Sequence, residues 1–186
     1  MPNPFEILGL QPTFALEATL LEQRQRELNR AVHPDRHAGK SPGERRQALS
    51  RAMDVNLAYR TLRDPASRAE ALLELLGVAT LGEREKTISD PLLLGEMLEQ
   101  RELLDDARRG KDHARLRELA AGMKERETGV LAELARAFAP LFAASGTPGL
   151  PAPARAAQLE SARRLLSELR YVRRFAEEVA AFEDEL

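Results

Sequence analysis

Apolar residues recur at three- and four-residue spacing through both halves of the chain, the period of helices that bury one face. The first such segment, Pro4-Phe5-Glu6-Ile7-Leu8-Gly9-Leu10, predicts a short helix with Phe5 and Leu8 inward and Gly9 as a left-handed cap. A second helix is expected from about Leu16 to Val32, with Leu21, Leu28 and Val32 on one stripe that Gln25 interrupts. Gly39, Pro42 and Gly43 act as breakers, and a third helix follows from about Glu44 to Leu62. There Ala48, Ala52, Val55, Tyr59 and Leu62 make a continuous buried stripe. Asp64-Pro65 then reads as N-cap and first residue of a fourth helix, with Ala69, Leu72, Leu73 and Leu76 as its apolar face and Gly77 as its end. Two long antiparallel helices flanked by two short ones should bury one small core.

The polar stretch from Ala79 to Ser89 lacks strong periodicity and marks the expected boundary. Asp90-Pro91 starts a helix to about Arg109, with Leu93, Met97, Gln100 and Leu104 on one line. Leu94 and Leu98 fall about 100° from that line beside Arg101, with Glu102 further round. An apolar arc wider than one packed stripe means either deeper burial or a surface for a partner. Asp112 can cap a long helix to about Ala139 that buries Leu116, Leu119, Met123, Val130, Leu131, Leu134 and Phe138. Gly122 and Gly129 weaken it, each by up to about 1 kcal/mol relative to Ala. Ser145 to Pro153 is a Gly/Pro-rich turn, and a last helix runs from about Ala154 to Asp184 with Ala162, Leu165, Leu169, Val172 and Ala176 on its stripe. Tyr171 points about 160° away from Leu169, which makes it a candidate exposed aromatic. Three helices with short connections fold most simply into an antiparallel bundle. The expected fold class is all-α: a helical hairpin domain over residues 1–77, a linker over 78–89 and a three-helix bundle over 90–186.

Composition narrows the chemistry. Cysteine and tryptophan are absent from the 186 residues. Without cysteine there is no disulfide framework, no Cys-ligated zinc and no thiolate-held iron–sulfur cluster. A formal net charge of −2 argues against sequence-independent nucleic-acid binding, which needs a basic excess. The N-terminus has no basic region followed by an apolar run, as a secretory signal would. The longest apolar stretch, Ala137 to Ala144, is broken by Pro140 and falls far short of the roughly 20 residues that span a bilayer. A cytoplasmic protein with no membrane contact is expected. His33 and His37 have the spacing of a zinc pair, but Pro34 breaks the helix that would align them and no glutamate follows His33. No nucleophile, base and orienter converge near a Gly-rich loop, so neither an enzyme nor a cofactor is expected.

One tripeptide stands apart. In His33-Pro34-Asp35 the proline lacks an amide hydrogen and clashes with the preceding turn, so the second helix must stop near His33 and present an imidazole and a carboxylate on a loop. Phe5-Glu6-Ile7-Leu8-Gly9-Leu10, His33-Pro34-Asp35-Arg36 and Asn56-Leu57-Ala58-Tyr59-Arg60-Thr61-Leu62-Arg63-Asp64-Pro65, in that order and spacing, resemble a J-domain. Ser67-Arg68-Ala69-Glu70-Ala71-Leu72-Leu73 narrows the resemblance to the HscB family, J-domain co-chaperones of iron–sulfur cluster assembly, and it continues into the second half. Three departures stand out: Val32 and Gln25 occupy positions where the family often has aromatics, and Arg36 one where lysine is usual.

The resemblance implies a J-domain set against the bundle in an L-shape, and two faces. His33, Pro34, Asp35 and Arg36, with Arg24, Arg26 and Arg30 on the second helix, would meet a DnaK-type chaperone, HscA or a relative, and stimulate its ATPase. Leu94, Leu98, Glu99, Arg101 and Glu102, with Tyr171 at a family aromatic position, would contact the scaffold protein IscU. Gly95 stands where a methionine commonly contributes. The protein itself is expected to be a monomer and an activator, not a catalyst. On charge alone, the arginines read equally well as a solvated face, and Leu94 and Leu98 as residues buried against the first domain. A helical adaptor with a J-like hairpin but no chaperone activity would use the tripeptide only as a loop stop, and would bury His33. An iron–sulfur or zinc protein would need ligands other than cysteine.

Overall fold

Helix α1 (Pro4–Leu8) is closed at both ends by its own sequence: Asn3 Oδ1 accepts the Phe5 N–H at 3.0 Å, and Gly9 sits at φ +63°. That φ is costly for a residue with a Cβ, so glycine is what lets the chain reverse there. The computed structural model describes residues 3–32, 39, 41–78, 91–142 and 150–185, and every regular element among them is helical. The chain divides into two units, Met1–Ala79 and Thr80–Leu186. The expected linker, residues 78–89, lies outside the described residues except for Val78.

In the first unit α2 (Ala18–Ala31) and α3 (Pro42–Arg63) pair, and α4 (Pro65–Leu75) follows directly. Pro42 and Gly43, expected as breakers, are instead the first turn of α3. Ser41 Oγ accepts the Glu44 N–H at 3.3 Å and Glu44 Oε2 accepts the Ser41 N–H at 2.9 Å, a capping box that satisfies two otherwise orphaned donors. Pro42 is harmless at N1 because no intrahelical bond is lost there. Asp64 caps α4 by accepting the Ser67 N–H at 2.8 Å, and Gly77, at φ +77°, ends it.

The core of this unit holds Phe5, Leu8, Phe14, Leu21, Ala48, Val55, Ala58, Leu62, Ala69, Ala71, Leu72 and Leu73. Ala52, Tyr59 and Leu76, expected in it, are only half-buried, as are Leu28 and Val32. Gln25, at the gap in the α2 stripe, donates to Asn56 Oδ1 on α3 at 3.3 Å, as does Asn29 at 3.0 Å. A polar contact thus replaces the apolar one that the stripe lacks. Arg68 fastens the loop before α2 to the α3–α4 corner by donating to the carbonyls of Phe14 and Leu62, both at 2.7 Å.

The second unit is an antiparallel bundle of α5 (Pro91–Gly110), α6 (His113–Phe138) and α7 (Ala152–Glu185). Asp90, the expected α5 cap, lies outside the described residues, as does most of the expected turn, 143–149. Asp112 caps α6 by accepting the Arg115 N–H at 3.0 Å, and Lys111 at φ +51° turns the chain from α5 into it. A short 3-10 turn, Ala139–Phe142, ends α6. The core gathers Leu104 and Ala107 of α5, Leu116, Leu119 and Met123 of α6, and Val172, Phe175 and Val179 of α7. Phe175, not Ala176, is the fully buried residue of its turn, because α7 is covered by both other helices and its buried arc is wider than one stripe.

Candidate functional site

Two surfaces carry the residues singled out from the sequence, one on each unit. On α2, Arg24, Arg26 and Arg30 are all exposed. Arg26 and Arg30, four residues apart, share a face, whereas Arg24 lies about 120° round the helix from Arg30. Arg24 is paired along the helix with Glu27 at 3.2 Å. Glu27 also accepts from Gln23 at 2.8 Å. That bond and the adjacent guanidinium hold its carboxyl below the usual carboxylate range. Arg26 and Arg30 mark an exposed basic face near the C-terminal end of α2. His33, Pro34, Asp35 and Arg36 lie outside the described residues.

On α5 the picture is more complete. Leu94 and Leu98 are 47% and 58% exposed, and among the described residues of the second unit they are the only large apolar side chains counted as exposed. They sit one helical turn apart, with Glu102 the next turn on, so the three form one line on the surface. Glu99 is exposed on the flank of that line. Gly95 sits beside the two leucines, and a Cβ built there would meet nothing within 4 Å. The patch is consequently small and notched: two leucines, bordered by Glu99 and Glu102.

Arg101 and Tyr171 both make contacts within the bundle. Arg101 is exposed, but its Nη2 donates to both carboxylate oxygens of Glu178 on α7, at 2.9 and 3.0 Å, so the guanidinium ties α5 to α7. Tyr171, expected as an exposed aromatic, is half-buried at the edge of the core. Its hydroxyl donates to the Met97 carbonyl of α5 at 3.2 Å, and its ring centroid lies 5.8 Å from that of Phe175. Burial raises the phenol pKa above its ordinary value, with Arg101 and Arg126 pulling the other way. The wheel placed Tyr171 opposite one stripe of α7; the reason it is covered is that α5 packs on that side.

Sequence reasoning missed a cluster on the far side of α5. Arg126 of α6 donates through Nη2 to Glu96 of α5 at 2.8 Å and through Nε to Glu168 of α7 at 2.9 Å, so one guanidinium bridges three helices. Burial opposes the charge on Arg126, but the two carboxylates outweigh it and the net shift of its pKa is upward. Arg173 and Glu127 form a parallel link between α7 and α6 at 2.7 Å. These partners lie tens of residues apart in sequence, and no local spacing rule could have paired them. Among the described residues no group of three or more His, Asp or Glu side chains is placed to hold a metal ion, and no helix is long and apolar enough to cross a membrane.

Comparison with known proteins places this architecture. Residues 89–180 match the family described as the HSCB C-terminal oligomerisation domain. A co-chaperone protein HscB homolog of Vibrio vulnificus (strain YJ016) is 42% identical over 110 residues, 59% of this chain. That stretch spans only 64% of the relative's own length. The solved structure of the chaperone HscB from Vibrio cholerae superposes with a TM-score of 0.81 at 30% identity, covering 98% of this chain and 99% of that one. The crystal structure of human co-chaperone protein HscB superposes with a TM-score of 0.80 at 25% identity, covering 100% of this chain and 84% of that one.

Proposed function

The chain belongs to the HscB family of J-domain co-chaperones, and from that membership we propose that it stimulates the ATPase of a DnaK-type chaperone, HscA or a relative, while presenting the iron–sulfur scaffold protein IscU. The first unit meets the chaperone. Arg26 and Arg30 steer encounter with an acidic surface on the ATPase, an effect that fades as salt rises. His33, Pro34 and Asp35 then dock, and hydrogen bonds made better in one ATPase conformation than in the other shift its equilibrium towards hydrolysis and client trapping.

The second unit holds the scaffold through Leu94 and Leu98, with Glu99 and Glu102 as the polar border. Arg101 and Tyr171 serve this face chiefly from behind, by fixing α5 on α7. Holding chaperone and scaffold in one complex raises the effective concentration of client at the trapping site. No group in this chain performs covalent chemistry in that scheme; the hydrolysis belongs to the chaperone.

The observation that carries the reading is the exposure of Leu94 and Leu98 in a bundle whose other large apolar side chains, among the described residues, are buried or half-buried. Fully burying a leucine side chain contributes about 1.5–3 kcal/mol, most of which truncation to Ala forfeits. The Leu94→Ala, Leu98→Ala double variant is therefore expected to bind IscU at least tenfold more weakly by calorimetry, with stimulation of the chaperone alone retained. Unchanged affinity would remove this face from the account.

A further inference from the structure

The two halves of α5 are held in different ways. Its C-terminal half is anchored by burial: Leu104 and Ala107 lie inside the apolar cluster, with Leu103 packed against it. In its N-terminal half, the half that carries Leu94 and Leu98, only Leu93 among the described side chains is buried. Besides Leu93, the described contacts on that half are polar and come from the other two helices: Arg126 to Glu96, the Tyr171 hydroxyl to the Met97 carbonyl and, at the midpoint of the helix, Glu178 to Arg101.

These links differ in shielding. The Arg126 side chain is 27% exposed and Glu168 behind it 13%, so this guanidinium is fixed by a largely buried carboxylate before it reaches Glu96, whose own side chain is 57% exposed; the shielding lies on the arginine side of the link. Exposed ion pairs such as Arg101–Glu178 are weakened by salt and by the mobility of their side chains, whereas a partly buried, doubly bonded arginine is screened less. Glu96 itself lies about 160° round α5 from Leu98, so it points away from the leucine face and towards α6 and α7.

We infer that Glu96 is a positioning residue for the client face: through Arg126, anchored on Glu168, it fixes the N-terminal half of α5 in the pose that presents Leu94 and Leu98. Without it that half populates poses in which the two leucines do not stand together, and apparent affinity falls in proportion to the fraction of time the competent pose is occupied. The inference rests on the reading of the Leu94 and Leu98 face as the scaffold surface.

The test is Glu96→Gln in the full chain, which removes the anionic partner while leaving Arg126–Glu168 in place. Calorimetry against purified IscU is expected to show about tenfold weaker binding, as for a competent pose populated about a tenth of the time. Hydrogen exchange of the free chain is expected to quicken over residues 91–101 and to stay the same in α6, α7 and the second half of α5. Glu96→Asp, which keeps the charge, is expected to recover part of the affinity, and the global unfolding midpoint to stay where it was. Unchanged affinity overturns the inference. So does weaker affinity with unchanged exchange, which would make Glu96 a direct contact. If the wild-type chain binds no IscU, the proposed function fails on its own account, and the exchange of the 91–101 amides still decides whether Glu96 fixes this half of the helix.

Discussion

Gly95 leaves a notch beside Leu94 and Leu98 that open space surrounds, since a Cβ there would touch nothing within 4 Å. Gly95→Met is expected to tighten IscU binding several-fold, because a buried methionine side chain contributes up to about 1.5–3 kcal/mol and glycine in a helix costs roughly 1 kcal/mol relative to Ala. Calorimetry with thermal unfolding separates the two effects, and a more stable protein with no gain in affinity would put the client contact elsewhere. Arg68 matters for a different reason. Its donors serve two loop and corner carbonyls, and its guanidinium lies 5.6 Å from the Phe14 ring centroid. Arg68→Met is expected to destabilise the first unit by about 2 kcal/mol in denaturant unfolding, the cost of leaving partly buried acceptors unserved. For Tyr171 the sign of the pH effect is fixed by its raised pKa. The stability it contributes is fully present below the unfolded-state value, about 10, and is lost as pH climbs through the higher folded-state value. The chain has two tyrosines, so absorbance titration of Tyr59→Phe reads Tyr171 alone; a midpoint at or below about 10 would mean its ring is open to water. These three residues also mark the limit of reading by period. Spacing separated Leu94 and Leu98 from the α5 core line, but Tyr171 was misjudged because a wheel sees one neighbour at a time, and the Arg126 cluster left no trace because its members meet only in space.

At the scale of elements, α3 shows why periodicity alone underdetermines a fold. Leu49, Met53 and Leu57 recur every fourth residue and are 57%, 65% and 52% exposed, while Ala48, Val55, Ala58 and Leu62 on the opposite side are buried. Both stripes fit a helix; the partners α1, α2 and α4 decide which is core. Helix starts were legible where the cap chemistry was read, as at Asp64 and Asp112, and shifted where it was not, as at Ser41. Ser41→Ala is expected to fray the first turn of α3 and cost about 1 kcal/mol. In α6, Gly122 and Gly129 are exposed and an added Cβ would meet nothing within 4 Å at either. Replacing each with Ala is expected to raise stability by up to about 1 kcal/mol, read as a higher thermal midpoint. A lowered midpoint would show that the α6 backbone needs glycine at these places.

The whole molecule joins two helical units, each with its own core and its own exposed face. Fold class and helix order were readable because both units are built from amphipathic helices whose stripes, caps and breakers are local. His33, Pro34 and Asp35 are where function concentrates in the proposal, and their meaning came from resemblance, since a proline-containing tripeptide has no unique use in physical terms. Salt offers one check on the first unit: chaperone encounter guided by Arg26 and Arg30 should slow as ionic strength rises, while scaffold binding through two leucines should change little. The most direct measurement is steady-state phosphate release by the DnaK-type chaperone with the wild-type chain and with His33→Gln. The account predicts that the wild type accelerates hydrolysis and that the variant does not, although it still binds IscU. Equal acceleration by the two proteins, or none by the wild type, would contradict it.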